Sequence, residues 1–350
     1  MRRDSLLALV VLLLLLFCHS ACAQSILHIY PGARPAALGD CFVAVADDAS
    51  ACYWNPGGLS FIEKQVDAVG MFTELVPDWG DVYYWYGAAA VKVGTADVVA
   101  ASISYLTYGE QVYYDEHSVE QARYDATETA VSLAYCRGLW NQVGLGVNLK
   151  YINSSLWTEE IVTEGDGTGS GWGVDAGVLY RVDHPISSAT GTIALGAAVR
   201  HMGPDLDFEG YPENMRPEDY DPSLPTTLAL GASYGVADGR IRGGLICAEY
   251  EQSLVSEDSN PILHAGMEAY LSLGFMFGVA DAQSGVIDRL SGRLGYVHDE
   301  DGEVKDISYG FGFGLLSENG LVASLDVASV ARAEGLERPW RFCLSLGYDF

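Results

Sequence analysis

Large apolar residues return at every second position along most of this chain. At its end Trp340, Phe342, Leu344, Leu346, Tyr348 and Phe350 alternate with Arg341, Cys343, Ser345, Gly347 and Asp349. Successive side chains of a strand point to opposite faces, so this period of two gives one apolar face and one polar or small face. The split recurs at Ile307, Tyr309, Phe311, Phe313 and Leu315, with Ser308, Gly310, Gly312 and Gly314 between them. Val143, Leu145, Val147, Leu149 and Tyr151 alternate with Gly144, Gly146, Asn148 and Lys150. Trp172, Val174, Ala176, Val178 and Tyr180 alternate with Gly173, Asp175, Gly177, Leu179 and Arg181. Lipid outside and a lumen inside account for both faces, and the pattern predicts an all-β transmembrane β-barrel. A secreted soluble β-sandwich shares the period, but here strands of roughly ten residues fill nearly the whole chain, as a membrane-crossing wall requires.

Strand-like segments lie at 65–75, 82–93, 97–108, 126–139, 141–156, 171–181, 191–202, 225–236, 239–251, 262–272, 273–283, 289–298, 307–316, 320–331 and 339–350. These fifteen cannot all be wall strands, because bacterial single-chain barrels have an even number. Periplasmic turns are short and outer loops long, which makes 108–126, 156–171, 203–224 and 252–261 outer loops and 138–141 and 236–239 periplasmic turns. Keeping the short Ser317-Glu318-Asn319-Gly320 turn periplasmic requires 273–298 to supply one strand, and the expected number is fourteen. Much of the acid sits in the long connections, as at Tyr114-Asp115-Glu116, Glu159-Glu160, Asp205 to Asp207 and Glu218-Asp219-Tyr220-Asp221. That is the composition of solvated loop surface, with a cation or protein site as the sharper alternative. Asp299-Glu300-Asp301-Gly302 lacks the downstream spacing of a calcium loop and reads as a turn.

At the amino terminus Arg2 and Arg3 precede an apolar run from Leu6 to Phe17 and an Ala21-Cys22-Ala23 tripeptide, the layout of a secretory signal peptide over 1–23. The run is too short to anchor the chain as a membrane helix. Cys22 is an alternative lipidation site, although His19 stands where a lipoprotein signal carries Leu or another aliphatic residue. The composition fits a barrel wall: 49% hydrophobic residues with 40 Gly, 21 Tyr, 11 Phe and 7 Trp, but no apolar stretch long enough for a spanning helix. The formal charge of -28 becomes -29 without Arg2, Arg3 and Asp4, so nucleic acid is excluded as a partner. Five cysteines would remain after export to an oxidising compartment, and an odd number forbids complete intramolecular pairing. Cys136, Cys247 and Cys343 lie in strand-like segments and read as packing residues. Cys41 and Cys52 flank a different kind of segment, and their spacing leaves a disulfide between them open.

That segment does not alternate. It runs from Pro31-Gly32-Ala33-Arg34-Pro35 through Asp47-Asp48 to Leu59, with Pro35 placed for the first turn of one short helix, Asp47 or Asp48 for the cap of a second, and Asn55-Pro56-Gly57-Gly58 as its stop. Its small residues suit packing inside a tube, and a periplasmic linker is the alternative. Gly32-Ala33-Arg34, Ala37-Leu38-Gly39-Asp40, Phe42-Val43-Ala44, Ala46-Asp47-Asp48 and Tyr53-Trp54-Asn55-Pro56 closely resemble the signature of the PorV/PorQ family, which is related to FadL-type transporters. Gly57 departs from the Ala usual after Asn-Pro, and Cys41 and Cys52 stand where small or aliphatic residues are usual. The resemblance implies a FadL-like barrel of fourteen strands over 61–350 with a small N-terminal helical plug over 24–60. It also implies a role in type IX protein secretion or cell-surface attachment, or else transport of hydrophobic compounds such as long-chain fatty acids. The expected location is the bacterial outer membrane, with lipid, the barrel-assembly machinery, and secretion proteins with exported cargo, or hydrophobic small molecules, as partners. The terminal aromatic strand, Trp340 to Phe350, resembles the signal read during barrel assembly.

No enzyme constellation is present: there is no Gly-x-Ser-x-Gly, His-Glu-x-x-His or Cys-x-x-Cys, and Gly165 to Gly173 lack the Lys-Ser/Thr of a phosphate loop. His28, His117, His184, His201, His264 and His298 are scattered, and no cofactor or metal is expected. A carrier needs an apolar pocket, for which Phe42, Val43, Val45, Tyr53 and Trp54 are candidate lining; a packed plug core uses the same residue types.

Overall fold

The structure, a computed structural model, describes residues 25–76, 81–114, 117–157, 167–210, 223–238, 242–255, 259–272, 287–316 and 321–349. The expected signal peptide, the candidate strand at 273–283, the acidic stretches at 159–160 and 218–221, and Phe350 lie outside them.

In chain order the strands are β1 (Val66–Glu74), β2 (Tyr83–Lys92), β3 (Asp97–Tyr114), β4 (Glu120–Leu139), β5 (Val143–Ser155), β6 (Thr168–Ile186), β7 (Ala189–Met202), β8 (Asp207–Glu209), β9 (Thr227–Asp238), β10 (Arg242–Ser253), β11 (Ile262–Ser272), β12 (Ile287–Asp299), β13 (Val304–Leu316), β14 (Val322–Ser329) and β15 (Trp340–Tyr348). The short β8 pairs with β6 alone; the other strands form one antiparallel ring, closed where β1 pairs with β15. That leaves fourteen wall strands, with one described strand from 273–298.

The wall faces follow the alternation. On β15, Leu344 is 50% exposed to the outside and Cys343 4% exposed. Outward aromatics meet across strands, as Phe72 does with Tyr83 and Trp85, Tyr151 with Trp172, and Tyr309 with Trp340. Such rings belong at the membrane interface, where one end is apolar and the other wet. The acidic Asp299–Gly302 segment is a turn, with the Gly302 amide donating to Asp299 at 2.9 Å.

The expected outer loop at 108–126 is instead mostly strand. β3 and β4 run 18 and 20 residues, and their pairing continues past the ends of β2 and β5 to Tyr114 opposite Glu120. About ten residues suffice to cross the membrane, so this ribbon rises above its neighbours at the rim of long connections, the outer rim. A ribbon in water needs no apolar face, and its charged alternation, with Arg123 bridging Glu110 and Glu120 at 2.6 Å each, hid it from a hydrophobic pattern. The strand count is unaffected.

Inside the ring lies the segment from Ile26 to Ile62: α1 (Ser25–His28), α2 (Ala33–Ala37), α3 (Ala51–Trp54) and a 3-10 turn (Pro56–Phe61). Inward glycines let its backbone touch the wall. A Cβ on Gly144 would fall 1.9 Å from the Gly57 carbonyl oxygen, and one on Gly295 1.9 Å from the Gly39 nitrogen. The inward glycine phase is what allows a folded segment to fit there.

Candidate functional site

The interface between this internal segment and the lumen wall collects most of the buried charge of the described residues. Gly32 and Gly39 have φ of +98° and +70°, values open to glycine, and they set the entry and exit of α2. Ala33 and Leu38 are fully buried. Asp40 follows at φ 58°, 3.5 Å from Arg341 of β15. Burial pushes the Asp40 carboxyl above its ordinary range, against the pull of Arg341 and His264.

Tyr53, Trp54, Asn55 and Pro56 pack the centre. Trp54 stacks on Tyr30 with centroids 5.3 Å apart, meets Phe42 edge-on at 5.8 Å, and donates from its indole to the Pro31 carbonyl at 3.2 Å. Tyr53 donates to the Leu27 carbonyl at 2.8 Å. Asn55 ends α3 and starts the next turn. Its amide donates to the carbonyls of Val43 and of Val178 on the wall, while its Oδ1 accepts from the Gly57 amide and Pro56 opens the 3-10 turn. The second helix expected from Asp47 or Asp48 is α3, but Ser50 precedes it without a side-chain cap; Asp48 instead accepts from the Ser50 amide at 2.8 Å.

The wall answers with lumen-facing charges that the sequence marked only as a polar phase. Arg200 of β7 is fully buried, bonded to Glu251 and held 5.6, 5.7 and 5.6 Å from the rings of Tyr30, Tyr53 and Trp54. Glu249 accepts from the amides of Phe42 and Val43 at 2.7 and 2.8 Å. His264 Nδ1 lies 2.7 Å from the Gly39 carbonyl oxygen. Lys150, Asp175 and His201 join β5, β6 and β7, with Lys150 Nζ 2.8 Å from Asp175 and 2.7 Å from His201 Nδ1; Asn148 beside them donates to the Cys52 carbonyl. Near the outer half Glu128 accepts from the Ile26 amide at 3.2 Å. Of the histidines that looked scattered, His201 and His264 are brought by pairing register onto the internal segment, a relation no local spacing carries.

Towards the opposite, periplasmic rim the segment borders a cavity of about 510 Å³. Arg34 bridges Asp47 at 2.5 Å and Glu268 of β11 at 3.0 Å. Glu268 also receives Arg289 at 3.2 Å and Arg293 at 2.6 Å, and Arg293 reaches Asp326. Of the candidate carrier lining, Phe42, Val43, Tyr53 and Trp54 are packed into the segment and its wall contacts, and Val45 alone borders this cavity. Cys41 and Cys52 are not joined to each other, and each has its own neighbour: Cys52 lies 3.3 Å from Tyr86 Oη, and Cys41 faces Cys247. The pairing left open by their spacing is absent because the two face different walls. Trp340, Phe342, Leu344, Leu346 and Tyr348 face outward from β15, away from this site. Among the described residues no three His, Cys, Asp or Glu side chains group as a metal site.

Solved barrels share this architecture. The chain is similar to the "TodX deltaS2S3 mutant monoaromatic hydrocarbon channel" (TM-score 0.52, 10% identity, 90% of this chain and 97% of the other). It is also similar to the Pseudomonas putida toluene transporter TodX (0.50, 10%, 94% and 98%) and to the CymD monoaromatic hydrocarbon channel (0.51, 10%, 90% and 96%). At such identity the likeness is one of fold, and a search of curated protein sequences returns no match. Residues 20–249, carrying the internal segment, the first eight strands of the wall and most of the ninth, match the family described as type IX secretion system protein PorV, and the chain belongs to that family.

Proposed function

We propose that the protein works in the outer membrane as a partner in type IX-like secretion or surface attachment, its lumen kept shut by its own N-terminal segment. One observation carries this choice over hydrophobic transport: the aromatic residues that would line a carrier's pocket are spent on packing Trp54 against Tyr30, Phe42 and Arg200, and the cavity that remains is edged by Arg34, Glu268, Arg289 and Arg293. An apolar solute entering this cavity would meet paired charges among its apolar lining, with no aromatic pocket to hold it. Residues 1–23 act as the export signal, β15 as the strand recognised during assembly, and exported proteins meet the outer rim, where the β3–β4 ribbon stands clear of the membrane.

The test is mass spectrometry of the gently solubilised protein together with an uptake assay in lipid vesicles. Co-purifying secretion proteins or cargo, with no protein-dependent uptake of a fatty acid or toluene, is the expected result. Stoichiometric hydrophobic ligand and saturable uptake would overturn the proposal in favour of the transport suggested by the names of the structural relatives.

A further inference from the structure

The lumen-facing wall cysteines all meet the internal segment. Cys136 lies 3.5 Å from the Gly57 carbonyl oxygen, Cys343 belongs to the same buried cluster as Ala33, and Cys247 lies 3.4 Å from the Cys41 carbonyl oxygen. Cys247 differs from the other two in meeting a second cysteine, its sulfur lying against the backbone of Cys41. Gly266 on the adjoining strand leaves the space they occupy, since a Cβ there would fall 2.9 Å from the Cys247 sulfur. The pair therefore joins the N-terminal segment to β10 across 206 residues of sequence. An outer-membrane barrel folds in a compartment where adjacent thiols are oxidised.

We propose that Cys41 and Cys247 form a disulfide that fastens the N-terminal segment to the barrel wall. Each thiol gives up its proton, one S–S bond forms, and the electron pair reduces the disulfide of a periplasmic thiol oxidase to its dithiol. Both cysteines are buried once the segment is seated, at 2% and 7% exposure, so the exchange happens while the barrel is closing and the bond is afterwards shielded from reductants. The link is independent of what the barrel secretes or transports.

The experiment uses the full chain, exported by its own signal into an oxidising periplasm, then denatured in detergent with an alkylating agent and no reductant. Three alkylated cysteines per chain, rising to five after reduction, and a digest peptide joining Cys41 to Cys247 are the expected result. Five alkylated cysteines without reduction, or a linkage of Cys41 to Cys52 or to a second chain, would overturn the proposal. Cys41→Ser and Cys247→Ser should each give four alkylated cysteines and no internal link. Reduction should lower the temperature at which the wild-type barrel loses its compact gel mobility by several degrees and leave Cys41→Ser unmoved; an equal shift in both would show that the bond fastens nothing.

Discussion

In the outer half of the lumen the N-terminal segment meets the wall through buried Arg200, Glu251 and the rings of Tyr30, Tyr53 and Trp54, whereas near the periplasmic mouth Arg34 meets Glu268 beside an open cavity. Both contacts use an arginine and a glutamate, but in different solvents. Arg200 has no exposed surface, so separating the groups leaves buried charge uncompensated, at a cost of about 3–5 kcal/mol. Beside the cavity the Arg34 side chain keeps 19% of its surface exposed, against none for Arg200, so water and salt can take over part of its interaction although Glu268 itself is buried. The segment is thus fixed at one end and exchangeable at the other.

The widest separation between the two ends comes from removing the segment. Deleting 32–59 while keeping the strands should preserve insertion and open a steady conducting path in planar bilayers, where the intact protein conducts little. Equal conductance at equal insertion would mean that the segment does not seal the lumen.

Trp54→Ala, at a position with no exposed surface, should destabilise the seated segment by about 3–5 kcal/mol, read as a lower denaturant midpoint for the compact form. Arg34→Ala should cost less, because Arg289 and Arg293 still pair with Glu268, and its cost should be the more salt-sensitive of the two. If the two variants behave alike, the division into a dry half and a wet half is wrong.

The same contrast extends to the wall. Leu344→Arg puts a charge into lipid and should reduce folding yield in vesicles by about 2–4 kcal/mol, while Ser345→Arg points into the cavity and should fold nearly as well as wild type. A reversed order would require the wall to be shifted by one residue.

The smallest effect is a pH dependence. Burial raises the Asp40 carboxyl when the segment is seated, so the seated state holds this proton more tightly than the displaced one. Stability from this group is greatest below the ordinary carboxylate value, falls as pH rises towards the raised value, and is flat above it. Channel openings should therefore become more frequent across that acid interval, and Asp40→Asn, whose side chain tolerates the left-handed backbone at φ 58°, should flatten the profile. An unchanged slope in the variant would assign the dependence elsewhere.

The wall was legible because lipid demands an apolar side chain at every second position, and Trp340 to Tyr348 and Ile307 to Leu315 display that demand directly. The even strand number resolved 273–298 where periodicity was ambiguous. The β3–β4 ribbon was missed because pairing in water needs no apolar face. Arg200, Glu251 and His264 fall on the polar phase, yet their common target comes from register across several strands, which no single strand encodes. Cys41 and Cys247 lie far apart in sequence and meet only when the ring is closed.

That ring also dictates an order of events. The segment occupies the lumen from Ile26, bonded near the outer half, to Ile62, just ahead of β1, and the seam between β1 and β15 joins the first and last strands of the wall. Backbone contacts as close as those at Gly144 and Gly295 leave no clearance for a folded segment to be threaded in afterwards. The segment must therefore already lie in the lumen when the ring closes.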